Sequence, residues 1–568
     1  MTDFEKTYQN YNPRQTALDE ARALLTAAAR AAMADGTLPE AELPAFIVEI
    51  PADVKNGDIA SNIAMAGART WRKAPKMIAD ALIAHLPALD GGVFAKVEVA
   101  GPGFINLFLA PSFWAGVVLG ACSNKEYGRT DHGKGAKYNV EFVSANPTGP
   151  MHIGNARGGA IGDCLAAVLE RAGYQVSREF YINDAGNQIN KFGMSLELRY
   201  LQLYRDGVEM PEDSYHGQDI VEHAKAFAAI HGDRYVDASE EERRQALVDY
   251  ALPLNVAGLE RDLATYRIHY DCWFRESTLH ENGEAAKVVE LLTARGYTYE
   301  SEGAVWFKAT DFGADKDFVL RRSNGFFTYV VPDIAYHYNK LVTRGYDKAI
   351  DVLGADHHGY VPRLKAALQA LGVDPARLDV VLMQMVRLIR DGEVVKASKR
   401  SGKAITLVTL LEEIPIDAAR FYFNLREANS QFDFDLDLAI EQSASNPVYY
   451  VQYAHARICS IFKREGAAPR PCTPEELALL AAPEEKALIR HLAGYTGEIV
   501  EAAKDYDPSR ITRYCTELAT LFHKFYNSCH VLGEEESLMQ ARLSLCAATR
   551  VTLRNALDLL KIGAPESM

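Results

Sequence analysis

Two residues, His152 and Gly154, stand where chemistry is easiest to build. An apolar, β-branched run, Tyr138-Asn-Val-Glu-Phe-Val-Ser144, gives way through Ala145-Asn-Pro-Thr-Gly-Pro150 to a segment, 156–171, whose apolar residues fall at helical spacing before a stop at Gly173. A helix start fed by a tight loop leaves backbone N–H groups unpaired at the positive end of the helix dipole, so a polyphosphate can bind there. Gly154 would let a flat ring approach the backbone where a Cβ would stand in the way, and His152 would offer an imidazole to phosphate oxygens. A second cationic element follows Val386-Arg-Leu-Ile-Arg390. Asp391-Gly392 signals a two-residue hairpin turn, and beyond Glu393-Val-Val-Lys396 lies the loop Ala397-Ser-Lys-Arg-Ser-Gly-Lys403. Such a loop, with Lys396 and Lys399, can fold over a triphosphate; the alternative is a solvated basic surface.

Two carboxylates are oddly placed. Glu141 interrupts an apolar strand, and Asp333 follows Phe327-Thr-Tyr-Val-Val331, which reads as a strand leading into a helix. Each can meet a cation that needs a partner away from water. Alternatively, Glu141 serves a buried Lys or Arg and Asp333 is a helix cap. Gln188 closes Tyr181-Ile-Asn-Asp-Ala-Gly-Asn-Gln188 at a strand's carboxyl end, where ligands of open α/β sheets bind, while Asn183 and Asp184 suit the turn itself. Tyr449 and Tyr453, four apart on one helix face beside His455 and Arg457, are either core or a platform for unstacked bases.

These residues require three kinds of scaffold. Residues 1–115 read as a small α+β unit, two helices and then the strands Ala95-Lys-Val-Glu-Val99 and Phe104-Ile-Asn-Leu-Phe-Leu109. Residues 116–430 alternate strand and helix as a parallel sheet demands, with a mostly helical insertion near 190–300. From 431 to 568 strand signals disappear and capped helices follow. The chain of 568 residues is 48% hydrophobic and 24% charged, an ordinary globular composition with room for three cores. A net charge of −15 argues against a general nucleic-acid coat, though a confined basic groove remains compatible with it. The eight cysteines lack zinc spacing and read as reduced thiols; no export pattern and no membrane-length apolar run is present, so a cytoplasmic protein is expected.

The block around His152 resembles the His-Ile-Gly-His region of class I aminoacyl-tRNA synthetases. Its form, Glu-Phe-Val-Ser-Ala-Asn-Pro-Thr-Gly-Pro before the histidine, is similar to that of the arginyl-tRNA synthetases, and the loop at 396–403 resembles the family's Lys-Met-Ser-Lys-Ser loop. The sequence departs from the pattern at Asn155, Ala397 and Arg400, where the family has histidine, methionine and the last serine. The resemblance implies a Rossmann-type α/β catalytic domain between an N-terminal α+β domain and a C-terminal all-α bundle. It also implies ATP as substrate with accompanying Mg2+, no zinc, and ATP contacts at His152, Gly154, Asn155, Lys396 and Lys399. Arginine would meet Glu141, Asn146, Tyr329 and Asp333, with Gln188 nearby and His357 where the family often has glutamine. tRNA(Arg) would touch Phe104 and Asn106 through the N-terminal unit, or these two would only pack in a hairpin. It would touch Tyr453 and Met568 through the bundle. A monomer without membrane contact completes the expectation. Two rival readings are another class I synthetase, of which a cysteinyl enzyme would want a zinc site the cysteines do not supply, and a catalytically silent RNA-binding relative.

Overall fold

The alanine-rich stretch behind Asn12-Pro13 has the cap and first-turn proline a helix start needs, and α1 (Pro13–Ala34) forms there, with Asn12 Oδ1 accepting from the Gln15 N–H at 3.3 Å. The protein is described by a computed structural model covering residues 8–395, 405–464 and 467–568. Beside α1 lies a four-stranded antiparallel sheet, β1 (Val48–Glu49), β2 (Ile59–Ser61), β3 (Phe94–Ala100) and β4 (Phe104–Leu109), in the order β1-β2-β4-β3. β3 and β4 are the strands the alternation announces. β1 and β2 are too short to show a period and exist only through pairing.

Further along come β5 (Lys137–Phe142), β6 (Gln175–Ile182), β7 (Cys272–Arg275), β8 (Thr298–Ser301), β9 (Ala304–Phe307), β10 (Phe318–Arg321), β11 (Lys348–Gly354) and β12 (Leu378–Met383). Five of them make one parallel sheet, β12-β11-β5-β6-β7. From β5 the chain runs outward to β6 and β7, then crosses back to β11 and β12, so the order switches between β5 and β11. The carboxyl ends at such a switch point open a crevice. Helix α2 (Ile153–Arg171), buried along most of its length, covers this sheet.

Three expectations need correction. Residues 327–331 do not form a strand: Phe327 makes only an isolated bridge to Arg321, and α3 (Val330–Tyr338) begins there. Val330, Val331, Ile334 and Ala335 bury one face at helical spacing, and that packing overrides their local β preference. The helical insertion is shorter than 190–300. Helices Gly186–Leu201, Gln218–His231 and Glu240–Thr265 are followed by β7, back in the parallel sheet, and β8 to β10 form a small antiparallel sheet. Strands also persist past 430. β13 (Val386–Arg390) pairs with β14 (Glu393–Val394) across Asp391 and Gly392, whose φ values of 52° and 78° suit the expected hairpin turn, and β15 (Phe432–Asp435) pairs parallel with β13.

The chain closes in helices α4 (Pro447–Phe462), α5 (Pro483–Asp505), α6 (Ser509–Ser528) and α7 (Glu536–Leu559). α5 carries the N-terminal unit: Arg490 pairs with Asp58 at 2.9 Å, and Thr496 Oγ1 donates to the Tyr11 carbonyl at 2.9 Å. The end of the chain is tied to the catalytic half by Arg420, which donates to the Leu560 carbonyl and pairs with Asp163 of α2. All eight cysteines are free, six of them buried. Among the described residues, no helix is long and apolar enough to cross a membrane.

Candidate active site

β5 ends in a kink. Val143 and Ser144 have φ of 70° and 40°, a left-handed pair that costs a β-branched residue about 1–3 kcal/mol. The kink brings Ser144 Oγ back to donate to Glu141 Oε1 at 2.9 Å while accepting from the Tyr181 N–H at 3.1 Å, which ties the carboxyl ends of β5 and β6 together. Above these ends opens a cleft of about 560 Å³, lined by Glu141, Ser144, His152, Gly154, Asn155, Tyr181, Asp333, Asp351, His357 and Tyr360 among others.

At one end of the cleft is the start of α2. His152 is its N-cap: Nδ1 accepts from the Gly154 N–H at 3.1 Å, and Asn155 Oδ1 accepts from the His152 N–H at 3.0 Å. Partial desolvation lowers the His152 pKa, so the ring is neutral at physiological pH and Nε2 is left as its donor. Asn155 works as half of a capping pair, a role its amide serves without titrating. A Cβ on Gly154 would lie 2.9 Å from His152 Cε1, so glycine is required for the ring to fold over the helix start. Lys396 and Lys399 lie outside the described residues. The chain on either side is placed: β14 ends at Val394, and Thr406 bridges His152 while the Leu407 N–H donates to the Met151 carbonyl at 2.9 Å. The described chain thus resumes at Ile405 and passes beside the histidine at Thr406.

The floor is a buried charge cluster. Parallel register sets Asp351 of β11 directly beside Glu141 of β5, and two neighbouring carboxylates demand a cation. Lys340, 0% exposed, supplies it, with Nζ 2.5 Å from Glu141 Oε2 and 3.0 Å from Asp351 Oδ1. His337 adds a second cation: Nε2 lies 2.6 Å from Asp351 Oδ2 and Nδ1 lies 2.7 Å from the Asp333 carbonyl, so both nitrogens must carry protons. Burial opposes that charge, but Asp351 raises the His337 pKa; burial likewise opposes ionisation of Asp351, yet Lys340 and His337 hold it well below the ordinary range. Burial pushes Glu141 up more than Lys340 pulls it down. Glu141, His337 and Asp351 bring ligand atoms within 4.8 Å of one another, a spacing a metal ion could use, but the Lys340 ammonium already supplies the charge.

Asp333 faces the cleft beyond this floor. It is not a helix cap, since the cap of α3 is Tyr329. The carboxylate accepts one side-chain hydrogen bond, from Tyr360 at 2.5 Å, and no ion pair to it is found among the described residues. Burial raises its pKa and the Tyr360 hydroxyl offsets part of the rise.

Other expected residues fall differently. His357 lines the cleft and is exposed. Tyr329, 71% exposed, sits in an adjoining smaller cleft with its ring 6.1 Å from that of Tyr360, and Asn146 is exposed on the loop before α2. Gln188 is not among the residues lining the cleft: its helix turns toward the insertion, where Oε1 accepts from the Tyr215 hydroxyl. Asn106 is 3% exposed, paired between β2 and β3, and so presents no surface to a partner; Phe104 at the strand's start is exposed. Asp184 shapes its turn, accepting from both the N–H and the hydroxyl of Ser277. On α4, Tyr449 and Tyr453 stack with ring centroids 6.1 Å apart, and Arg457 lies over Tyr453 at 4.6 Å and over Tyr526 at 4.9 Å. Met568 is exposed. Sequence reasoning missed Ser144, Lys340, Asp351 and Tyr360. A charge inside the apolar run Ala349-Ile-Asp-Val-Leu353 was the available signal for Asp351, the same kind that marked Glu141.

A parallel sheet with a His-Ile-Gly helix start at its switch point and an appended helical bundle defines a class I aminoacyl-tRNA synthetase. The family model for the class I (R) tRNA synthetase catalytic domain matches residues 118–461; those for the arginyl-tRNA synthetase N-terminal domain and the DALR anticodon-binding domain match 19–109 and 451–568. Over 558 residues the chain is 54% identical to the arginine–tRNA ligase of Caldanaerobacter subterraneus subsp. tengcongensis, covering 98% of this chain and 99% of that protein. It is 52% identical over 539 residues to that of Ruminiclostridium cellulolyticum, covering 94% and 95%. Thermus thermophilus arginyl-tRNA synthetase shares the fold, with a TM-score of 0.72 at 24% identity over 96% of this chain and 100% of that one. The chain belongs to the arginyl-tRNA synthetase family.

Proposed function

We propose that the cleft activates L-arginine with ATP, and that Asp333 is the partner of the substrate guanidinium. The protein is an arginine–tRNA ligase: the arginine carboxylate attacks the α-phosphorus of ATP, pyrophosphate leaves, and the arginyl-adenylate is then attacked by a hydroxyl of the tRNA's terminal adenosine, releasing AMP. The observation that carries the residue assignment is the unpaired charge of Asp333. Glu141 and Asp351 are answered by Lys340 and His337, whereas among the described residues Asp333 accepts only a tyrosine hydroxyl. A guanidinium with its planar fork of donors is the cation such a site accepts.

At the other end, the N–H groups of the α2 start and neutral His152 would hold the polyphosphate of ATP, which enters with Mg2+ as part of the substrate. Lys396 and Lys399 would approach the pyrophosphate from the segment that rejoins the chain beside His152. No covalent enzyme intermediate is needed; the protein orients the reactants and stabilises charge at the α-phosphate. Glu141, Asn146, Tyr329 and His357 are read as further arginine contacts. Phe104 is read as a tRNA contact of the N-terminal unit, and Tyr453 and Met568 as contacts of the bundle, where Tyr449, Tyr453 and Arg457 give stacking planes beside a cation. We read the protein as a cytoplasmic monomer, which sedimentation would test. The deciding assay charges total tRNA with each of the twenty amino acids: arginine alone should be esterified, and equal charging by another amino acid would overturn the reading.

A further inference from the structure

Tyr360 stands at the start of the helix Val361–Ala370, directly after the turn that leaves β11, and lines the cleft. Its hydroxyl donates to Asp333 Oδ2 at 2.5 Å, and among the described residues no other side chain hydrogen-bonds that carboxylate. Its orientation is itself constrained, with the exposed Tyr329 ring 6.1 Å from its own and the helix backbone beginning at the next residue.

We propose that Tyr360 is a positioning residue that fixes the plane of the Asp333 carboxylate for a guanidinium and thereby favours arginine over lysine. The inference rests on the reading of Asp333 as the guanidinium partner. A carboxylate with a free χ2 attracts any cation nearly equally, because an ammonium ion is a point charge indifferent to the orientation of the plane. A guanidinium gains its second parallel hydrogen bond only when the carboxylate plane coincides with its own. A hydroxyl bound to one oxygen removes the rotation and leaves the other oxygen, with the remaining lone pair of Oδ2, to receive two N–H groups. The hydroxyl also favours the ionised form of the carboxylate. Burial raises the Asp333 pKa, and the Tyr360 hydrogen bond acts against it. The other groups whose charge Asp333 feels are His337 on its own helix, Asp351 on β11, His357 in the turn after β11, and Glu276, which accepts from Tyr181 of β6. Tyr360→Phe leaves all of them in place.

The test compares the unmodified enzyme, Tyr360→Phe, Asp333→Asn and the double variant in ATP–pyrophosphate exchange with tRNA present, using arginine and then lysine, across pH. Tyr360→Phe should lower kcat/KM for arginine about tenfold, mainly through KM, the scale of one hydrogen bond to a charged group. The ATP KM should be unchanged, and the residual lysine reaction should fall less than the arginine reaction. The acidic limb of kcat/KM for arginine should move to higher pH, because a carboxylate that has lost its donor is protonated more readily. The double variant should be no worse for arginine than Asp333→Asn, since Tyr360 acts through Asp333. An unmoved acidic limb, equal losses for arginine and lysine, or additive losses in the double variant would each overturn the proposal. If Asp333→Asn itself leaves the arginine KM unchanged, the underlying reading of Asp333 fails; if only Tyr360→Phe is without effect, that reading stands and the positioning role fails.

Discussion

Replacing Lys340 by methionine removes the ammonium that separates Glu141 from Asp351 while keeping most of the side chain's volume. Nζ lies 2.5 Å and 3.0 Å from the two carboxylates and the residue is 0% exposed, so the variant leaves two neighbouring acids facing each other away from water. Removing one partner of a buried ion pair costs about 3–5 kcal/mol. The lower end applies here, because His337 remains 2.6 Å from Asp351 and Glu141 can take up a proton. For a large domain each kcal/mol moves the unfolding temperature by about 2–4 °C, so a fall of roughly 6–12 °C is expected in the transition of the catalytic half.

The pH dependence gives the prediction its sign. Glu141 already titrates above its ordinary value, chiefly through burial, and losing Lys340 raises it further. A carboxyl with a raised folded-state pKa binds its proton in the folded chain before the unfolded one, so stability falls as pH climbs from the unfolded value through the folded value. The deficit should therefore be smaller at about pH 5.5 than at about pH 8. Differential scanning calorimetry at the two pH values, with Lys340→Met/Asp351→Asn alongside, is the assay. The added asparagine should recover part of the loss by leaving one buried charge fewer. An unfolding temperature within about 2 °C of the unmodified protein, less than one kcal/mol, or a larger deficit at the acid pH, would refute the account of this cluster.

Asp333→Ala should raise the arginine KM at least about thirtyfold, from a loss of about 2–5 kcal/mol, and leave the ATP KM nearly unchanged; steady-state exchange kinetics measure both. Lys399→Ala should lower kcat for activation about a hundredfold with little change in arginine affinity, since its charge acts in the transition state; activation at the unmodified rate would make the loop a solvated surface. ATP–pyrophosphate exchange should require tRNA docked on the bundle and the N-terminal unit; exchange at full rate in RNA-free enzyme would remove this coupling and leave the ligase assignment intact.

The parts of the fold that were legible beforehand are those carried by local signals. The loop from Val143 to the cap His152 sits between a strand buried from Asn139 to Phe142 and a helix with its own cap, and Asp391-Gly392 dictates a turn whichever sheet receives it. The errors arose where distant partners decide the outcome. Phe327 to Val331 has strand composition but lies where a helix buries its apolar face, β7 is a four-residue strand that exists by pairing with β6, and Gln188 is drawn to Tyr215 of the insertion. The charge cluster was hidden for the same reason: the neighbouring of Glu141 and Asp351 is a fact of register between strands about 200 residues apart in sequence, and Lys340 reaches them from the π-helical turn Asn339–Thr343 that follows α3. That neighbouring decides how the cleft treats its substrate. Glu141 and Asp351 are balanced by Lys340 and His337, so the floor contributes no net charge, and Asp333 has no ion-pair partner among the described residues. Had the cluster been one cation richer, Asp333 would already be satisfied and a guanidinium would gain little by entering. One cation poorer, a second unanswered carboxylate would bind ammonium and guanidinium alike. Discrimination thus depends on Lys340 and His337, which need not touch arginine, because they set how much charge the substrate is left to supply.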